Sequence, residues 1–231
     1  MAAAEPALRP VADGVWVADA PDHTMMGIHL GTRMTVVRLS HGGLFVHSPV
    51  ALTPNLRAAV DALGPVRHVV CPNLYHHLYA GQWTEAYPAA LLHGPAALAD
   101  KRKDLRFNSV LSSTAHPDWA GDLVPHPIDG CDLKETVFLH PSTKTLISSD
   151  LTENFTRCDH WPTKMYLKAA GIWQKPGWSR LLRWVYKDKR AARRSIDALL
   201  ALDWDRLIVA HGDIFPSGGK DAVRSTFHFL D

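Results

Sequence analysis

A chain of 231 residues can bury a sizeable core, and 46% hydrophobic with 21% charged residues is the composition of a folded globular protein. A formal net charge of +2 is too small to require a nucleic-acid partner, and no apolar run reaches the length of a membrane span. Three cysteines at unrelated spacings, Cys71, Cys131 and Cys158, argue against a disulfide framework and suit a reducing, cytoplasmic setting. The opening stretch MAAAEPALRPVADG has no basic segment followed by an apolar one, so no signal peptide is expected.

The first third reads as short strands. GVWVADA alternates and is rich in valine, and MTVVRLS and GLFVHSP flank HGG, a hairpin signal. TPNLRAAVDALG starts with Thr-Pro, repeats Leu56, Val60 and Leu63 at helical spacing and stops at glycine, which predicts a helix. VRHVVCP is a buried strand that runs straight into NLYHH. AALLH and GPAALADKRKDL predict a short apolar run and a helix. ETVFLHPSTKTLISSDL predicts a hairpin around HPSTK that ends in Asp150. Residues 151–178, with Trp161, Trp173 and Trp178 among prolines and glycines, read as irregular. WSRLLRWVYKDKRAARRSIDALLAL reads as one or two helices, DRLIVAHGD as a last strand ending in His211, and GKDAVRSTFHFL as a closing helix. This order predicts two β-layers covered by helices on both outer faces, a four-layer αββα sandwich of the α+β class.

Polar residues gather at strand ends. His76 and His77 follow one strand, Asp150 follows another and His211 a third. Loops at one edge of a rigid sandwich can bring such residues together. Three imidazoles and one carboxylate suit a borderline divalent ion such as zinc or iron. A glycine after His211 lets another group approach the strand end closely.

The stretches GVWVADA, MTVVRLSHGGLFVHSPV, LGPVRHVVCPNLYHH, ETVFLHPSTKTLISSDL and DRLIVAHGD together resemble the metallo-β-lactamase superfamily over most of the chain. CPNLYHHLYAGQW, FLHPSTKTLISSDLTEN and AHGD resemble a branch of unknown function in which Pro-Asn-x-x-His-His replaces HxHxDH. The resemblance implies a single domain over residues 1–231, with a tryptophan-rich, partly helical insertion at about 151–200. Laid so that its last histidine falls on His77, the HxHxDH motif places Pro72 and Leu74 at its leading histidines and His76 at its aspartate. Cys131 falls where a further ligand of the first metal would stand. One ion is therefore expected, held by His76, His77, Asp150 and His211, with Asn73 and Cys131 as reserve ligands should the register shift. Zinc is the expected metal, with iron or manganese as alternatives. Asp150 is the candidate catalytic group if it orients a water instead.

The implied activity is hydrolysis of an ester, thioester or phosphoester at this reduced site. The alternative is a non-catalytic descendant, metal-stabilised or metal-free, that binds a ligand or protein partner; redox chemistry at an iron site is a third reading. His47 and His140 are candidates to support the ligands, each with a plain packing or turn role as its rival. Tyr75, Tyr79 and Trp83 would either line a substrate cleft or pack a short helix. The basic run from Arg180 to Arg194 is a solvated helix face or an attraction for an anionic partner, whether a phosphorylated small-molecule substrate, nucleic acid or a lipid headgroup; no recognisable nucleic-acid module accompanies it, and no nucleic-acid partner is expected. Trp161 to Trp184 spans a candidate lid or homodimer surface.

Overall fold

Alternation in the first third produces an antiparallel meander that later turns parallel. The computed structural model describes residues 6–21 and 23–231; residues 1–5, part of the stretch expected to lack a signal peptide, lie outside the described residues. β1 (Leu8–Ala12) pairs antiparallel with β2 (Val15–Ala20), and β3 (Thr24–Met25) and β4 (Ile28–His29) form a small separate hairpin. β5 (Thr32–Arg38) turns through HGG into β6 (Leu44–His47), with Gly42 at φ +86° in the left-handed region that glycine adopts without steric cost. α1 (Pro54–Asp61) leads to β7 (Val66–Val70), α2 (Ala80–Ala86) to β8 (Leu91–Gly94), and α3 (Ala96–Lys101) to β9 (Ser109–Val110). These strands form one sheet in the order β1-β2-β5-β6-β7-β8-β9, parallel from β6 onward.

The second sheet holds β10 (Val124–Pro127), β11 (Thr136–His140) and β12 (Thr145–Ile147). After α4 (Trp161–Ala170) and α5 (Lys189–Ala201) it gains β13 (Arg206–Ile208), parallel to β12; α6 (Gly219–Phe227) follows. Phe45 and Val70 of the first sheet meet Phe138, Ile147 and Ile208 of the second in a shared core. Leu56, Val60, Trp83 and Leu98 from α1–α3 cover the outer face of the first sheet. Ile196, Leu199, Val223 and Phe227 from α5 and α6 cover the second. The architecture is the expected αββα sandwich.

Helix α1 shows why these elements form where they do. Thr53 Oγ1 accepts the Leu56 N–H at 3.2 Å, Pro54 opens the helix, and Leu56 and Val60 bury their side chains. Residues 161–170 depart from the irregular reading. There Pro162 starts α4, Gly171 at φ +78° ends it, and Leu167 is wholly buried. The start and stop residues of a helix were present, but the density of aromatics and prolines around them masked the pattern. Among the described residues no helix is long and apolar enough to cross a membrane.

Two outcomes follow from this packing. Phe138 is wholly buried and meets Phe45 edge-on at 5.1 Å, so Phe138→Ala should cost about 3–5 kcal/mol in chemical denaturation. His47, His68 and His93 are buried, and desolvation lowers their pKa values to about 3, 4 and 3. The unfolded chain binds protons at these rings below their ordinary value while the folded chain does not, so stability should fall as pH drops from about 6.5 toward 3–4. Denaturation midpoints in chelator that stay flat across that window would contradict this.

Candidate metal centre

Two parallel strand pairs, one in each sheet, deliver the candidate residues to the same edge. β6 and β7 run side by side, and Ser48 N–H donates to Val70 O at 2.9 Å, so the residues after each strand meet. β12 and β13 do the same in the second sheet: Ser148 N–H donates to Ile208 O at 2.9 Å and Ala210 N–H to Ser149 O at 3.1 Å. His76, Asp150 and His211 are brought together by these pairings, with one donor atom from each within 4.8 Å of the others.

Asp150 Oδ1 is the hub. His76 Nε2 lies 3.3 Å from it and His211 Nε2 lies 3.2 Å from it. The other nitrogens are already engaged: His211 Nδ1 donates to Gly31 O at 2.7 Å, and His76 Nδ1 meets Ser48 Oγ at 2.6 Å. Ser48 reaches that position from φ +55°, an uncommon backbone state for a non-glycine residue. With Nδ1–H given to the backbone, the neutral His211 tautomer aims the Nε2 lone pair at the group. Ligand atoms held 2.0–2.2 Å from a tetrahedral zinc ion stand about 3.3–3.6 Å apart, so the observed spacing fits such an ion after small adjustments.

The surroundings hold Asp150 in place. Asn73 Nδ2 donates to Asp150 Oδ2 at 2.8 Å, while Asn73 Oδ1 accepts the backbone N–H groups of Tyr75 and His76 at 2.8 and 2.9 Å. Glu135 Oε1 accepts from Ser149 N–H at 2.7 Å and from Asp150 N–H at 3.1 Å. Burial, with the charge of Asp150 added, pushes the Glu135 carboxyl up to about 8. Burial alone would raise Asp150, yet His76 and His211 hold it well below the usual carboxylate range. Burial pulls His211 down, but its hydrogen bond to Asp150 and the charges of Asp150 and Glu153 carry it above its ordinary value. Glu153 is buried, has no partner at Oε2 among the described residues, and is pushed by burial up to about 7.

Arg33 ties the His211 loop to the first sheet. Its guanidinium donates to Val209 O at 2.6 Å and to Gly212 O at 2.8 Å, and pairs with Asp19 at 2.5 Å. Gly212 has φ +84°, and a Cβ there would stand 2.1 Å from Asn154 O. None of Glu135, Glu153, Arg33 or Ser48 stood out in the sequence. An Arg within a β-run, and a Glu just before an apolar strand, are the signals that were there to find.

Most other sequence candidates sit elsewhere. Arg102 Nη1 donates to His77 Nδ1 at 2.8 Å and to His77 O at 3.1 Å. A guanidinium only donates, so Nδ1 is the acceptor and the neutral ring carries its proton on Nε2, with no lone pair left for an ion. Asn73 lies at the centre itself, where Nδ2 donates to Asp150 Oδ2 and Oδ1 is taken by the Tyr75 and His76 N–H groups, so it supports the carboxylate. Cys131 bonds to Tyr186 within the second sheet's core, and burial raises its thiol to about 11. His47 makes no hydrogen bond among the described residues and lies edge-on to Phe138 at 5.8 Å; its neighbour Ser48 is the residue that supports His76. His140 pairs with Thr145, at the opposite end of the hairpin from Asp150, and bonds to Thr143 Oγ1 at 2.7 Å. Trp83 is wholly buried and donates to Val50 O at 2.7 Å, so it packs core instead of lining a cleft. Tyr79 packs against the same core, and Tyr75 is exposed beneath the Lys101 ammonium at 5.1 Å.

A family described as a domain of unknown function (DUF4336) matches residues 12–96. No curated protein matches the chain. Among solved structures, a metallo-β-lactamase from Pontibacter korlensis has a TM-score of 0.65 at 12% identity, covering 96% of this chain and all of its own. The metallo-β-lactamase FIM-1 from Pseudomonas aeruginosa, in a mono-zinc form, has a TM-score of 0.59 at 12% identity, with 97% of each chain covered. The flavodiiron core Flv1 from Synechocystis sp. PCC6803 has a TM-score of 0.70 at 12% identity, covering 98% of this chain and 60% of that one. At these identities the likeness establishes the fold: the chain has the metallo-β-lactamase fold.

Gly212→Ala forces a strained backbone into a close approach and should cost about 2 kcal/mol or more in denaturation, with weakened metal retention as the His211 loop shifts. His77→Ala should leave metal content at the wild-type level, because its Nδ1 lone pair is taken by Arg102. Elemental analysis of the purified variant decides this; loss of metal would return His77 to the ligand set.

Proposed function

We propose that the protein is a metal-dependent hydrolase using one divalent ion, zinc in the first instance, held by His76, Asp150 and His211. The observation that supports this most is the number of protein donors. Three side chains offer donors within 4.8 Å of one another, with each imidazole Nε2 3.2–3.3 Å from Asp150 Oδ1, and a zinc site with three protein ligands keeps a position open, as catalytic sites do. Bound there, the ion would supply an activated water for attack on an ester, thioester or phosphoester.

The chain's own residues set up the rest. Asn73 and Glu135 fix the Asp150 loop, Ser48 and Gly31 set the two ring orientations, and Arg33 anchors the His211 loop. Glu153, buried and unpartnered at Oε2 among the described residues, is the group assigned to hold a proton beside the site. The substrate is a small molecule, and a cytoplasmic location fits the three free thiols.

A non-catalytic reading has one observation in its favour: Pro72 and Leu74 stand where the superfamily motif would place two histidines. Under that reading the ion stabilises the fold and a partner takes the place of a substrate.

Chelator-stripped and zinc-loaded protein should be assayed on a panel of aryl esters, thioesters and phosphoesters. The hydrolase reading expects turnover that appears with metal and vanishes in His211→Ala. Asn73→Ala should keep the ligands yet lower metal affinity about 10–100-fold, since it removes the partner of Asp150 Oδ2. A metal-dependent rise in melting temperature with no turnover on any class would contradict the hydrolase and leave the structural role.

A further inference from the structure

A second group of histidines lies between the sheets, away from the centre described above. An irregularity at the start of β7 sets His68 beside Trp119 and Phe45 in the inter-sheet core, at the middle of the strand rather than past its end. His68 and His93 are wholly buried, where a polar ring nitrogen must find a partner. His93 Nδ1 lies 2.6 Å from Ser109 Oγ, and His93 Nε2 lies 3.1 Å from His68 Nδ1. The chain of contacts then stops. His68 Nε2 is buried with no hydrogen-bond partner among the described residues, and Asp118 Oδ2 stands 3.4 Å away.

Each neutral imidazole has one donor and one acceptor, so this chain can run in two directions. If the protons point toward Ser109, the His68 Nε2 lone pair faces a carboxylate oxygen with nothing between them. If they point the other way, Nε2–H reaches toward Asp118 across a distance longer than an ordinary N–H···O bond. The first arrangement is the one a metal ligand adopts, with its second nitrogen donating to a supporting group. His116 Nδ1 faces the same gap, 4.0 Å from Asp118 Oδ1; its lone pair accepts the Asp118 N–H in a long 3.3 Å bond, a neutral and weaker hold than the 2.8 Å guanidinium bond on His77, and binding an ion through Nδ1 requires that bond to be given up. One donor atom from each of His68, His116 and Asp118 lies within 4.8 Å of the others.

We propose that His68, His116 and Asp118 form a second site for a divalent transition-metal ion of the zinc type, with His93 and Ser109 orienting His68. Two imidazoles and one carboxylate are a donor set that binds such ions while leaving positions open. A cavity of about 180 Å³, lined by Ser109, His116 and Trp119 among others, lies beside His116, with room for water or a small ligand. This site does not depend on the reading of the His76–Asp150–His211 group, and each can stand without the other.

The experiment is a zinc count per chain on chelator-stripped, zinc-reloaded and dialysed full-length protein. It compares wild type with His116→Ala/Asp118→Asn and with Asp150→Asn/His211→Ala. His116 and Asp118 are partly exposed, so the first variant should keep its circular dichroism spectrum and its melting curve in chelator. The expected result is about two ions in wild type and about one in each variant. A wild type with about one ion, lost in the first variant and kept in the second, also supports the proposal while removing the other site. A His116→Ala/Asp118→Asn protein that binds as much zinc as wild type overturns it. If that variant fails to fold, the second one decides: an ion retained by Asp150→Asn/His211→Ala supports the proposal, and none overturns it.

Discussion

The buried carboxylate of Asp150 is the constraint around which the rest of the site is arranged. A charge out of water is tolerated only when it is paired and hydrogen-bonded. Here Oδ1 faces the Nε2 atoms of His76 and His211, and Oδ2 accepts from Asn73. The partners in turn are fixed by groups with no charge to offer: Ser48 Oγ, the Gly31 carbonyl and the N–H groups that Asn73 gathers. A cation placed among the three donors would bind the carboxylate directly and take up the Nε2 lone pairs of the two rings. The three donors could hold a metal ion, which is the reading proposed above.

That arrangement depends on topology more than on any single contact. The β6–β7 and β12–β13 pairs are parallel, so each pair ends twice on one edge of the sandwich, and the inter-sheet core of Phe45, Phe138, Ile147 and Ile208 fixes one edge against the other. Arg33 crosses between the sheets and carries that rigidity to the loop after β13. The same inter-sheet layer accommodates the second histidine group, where burial offers ring nitrogens few partners.

Much of the architecture was legible in the sequence because its signals are local. Thr53-Pro54 with Leu56 and Val60 marks a helix wherever it occurs, and GLFVH and VRHVV are strands by composition and alternation. The convergence of His76, Asp150 and His211 at one edge was also legible, since each follows a strand. The choice between His76 and His77 was not. It turns on Arg102, a residue beyond α3 whose guanidinium takes the His77 Nδ1 lone pair, and nothing near NLYHH announces that contact. Asn73 likewise reads as a reserve ligand from its type alone; its role follows from a turn that points Oδ1 at the backbone and Nδ2 at Asp150. His68 and His93 are silent for the same reason: a histidine in an apolar strand looks like any other until its neighbours across the sheet are known.

The most direct test of the central claim is a zinc-soaked crystal with anomalous diffraction collected on both sides of the zinc absorption edge. The account predicts an anomalous peak bounded by His76 Nε2, Asp150 Oδ1 and His211 Nε2, each at about 2.0–2.2 Å from the ion. A metal-replete crystal with no peak among those three atoms, or with a peak on His77 instead, would contradict it.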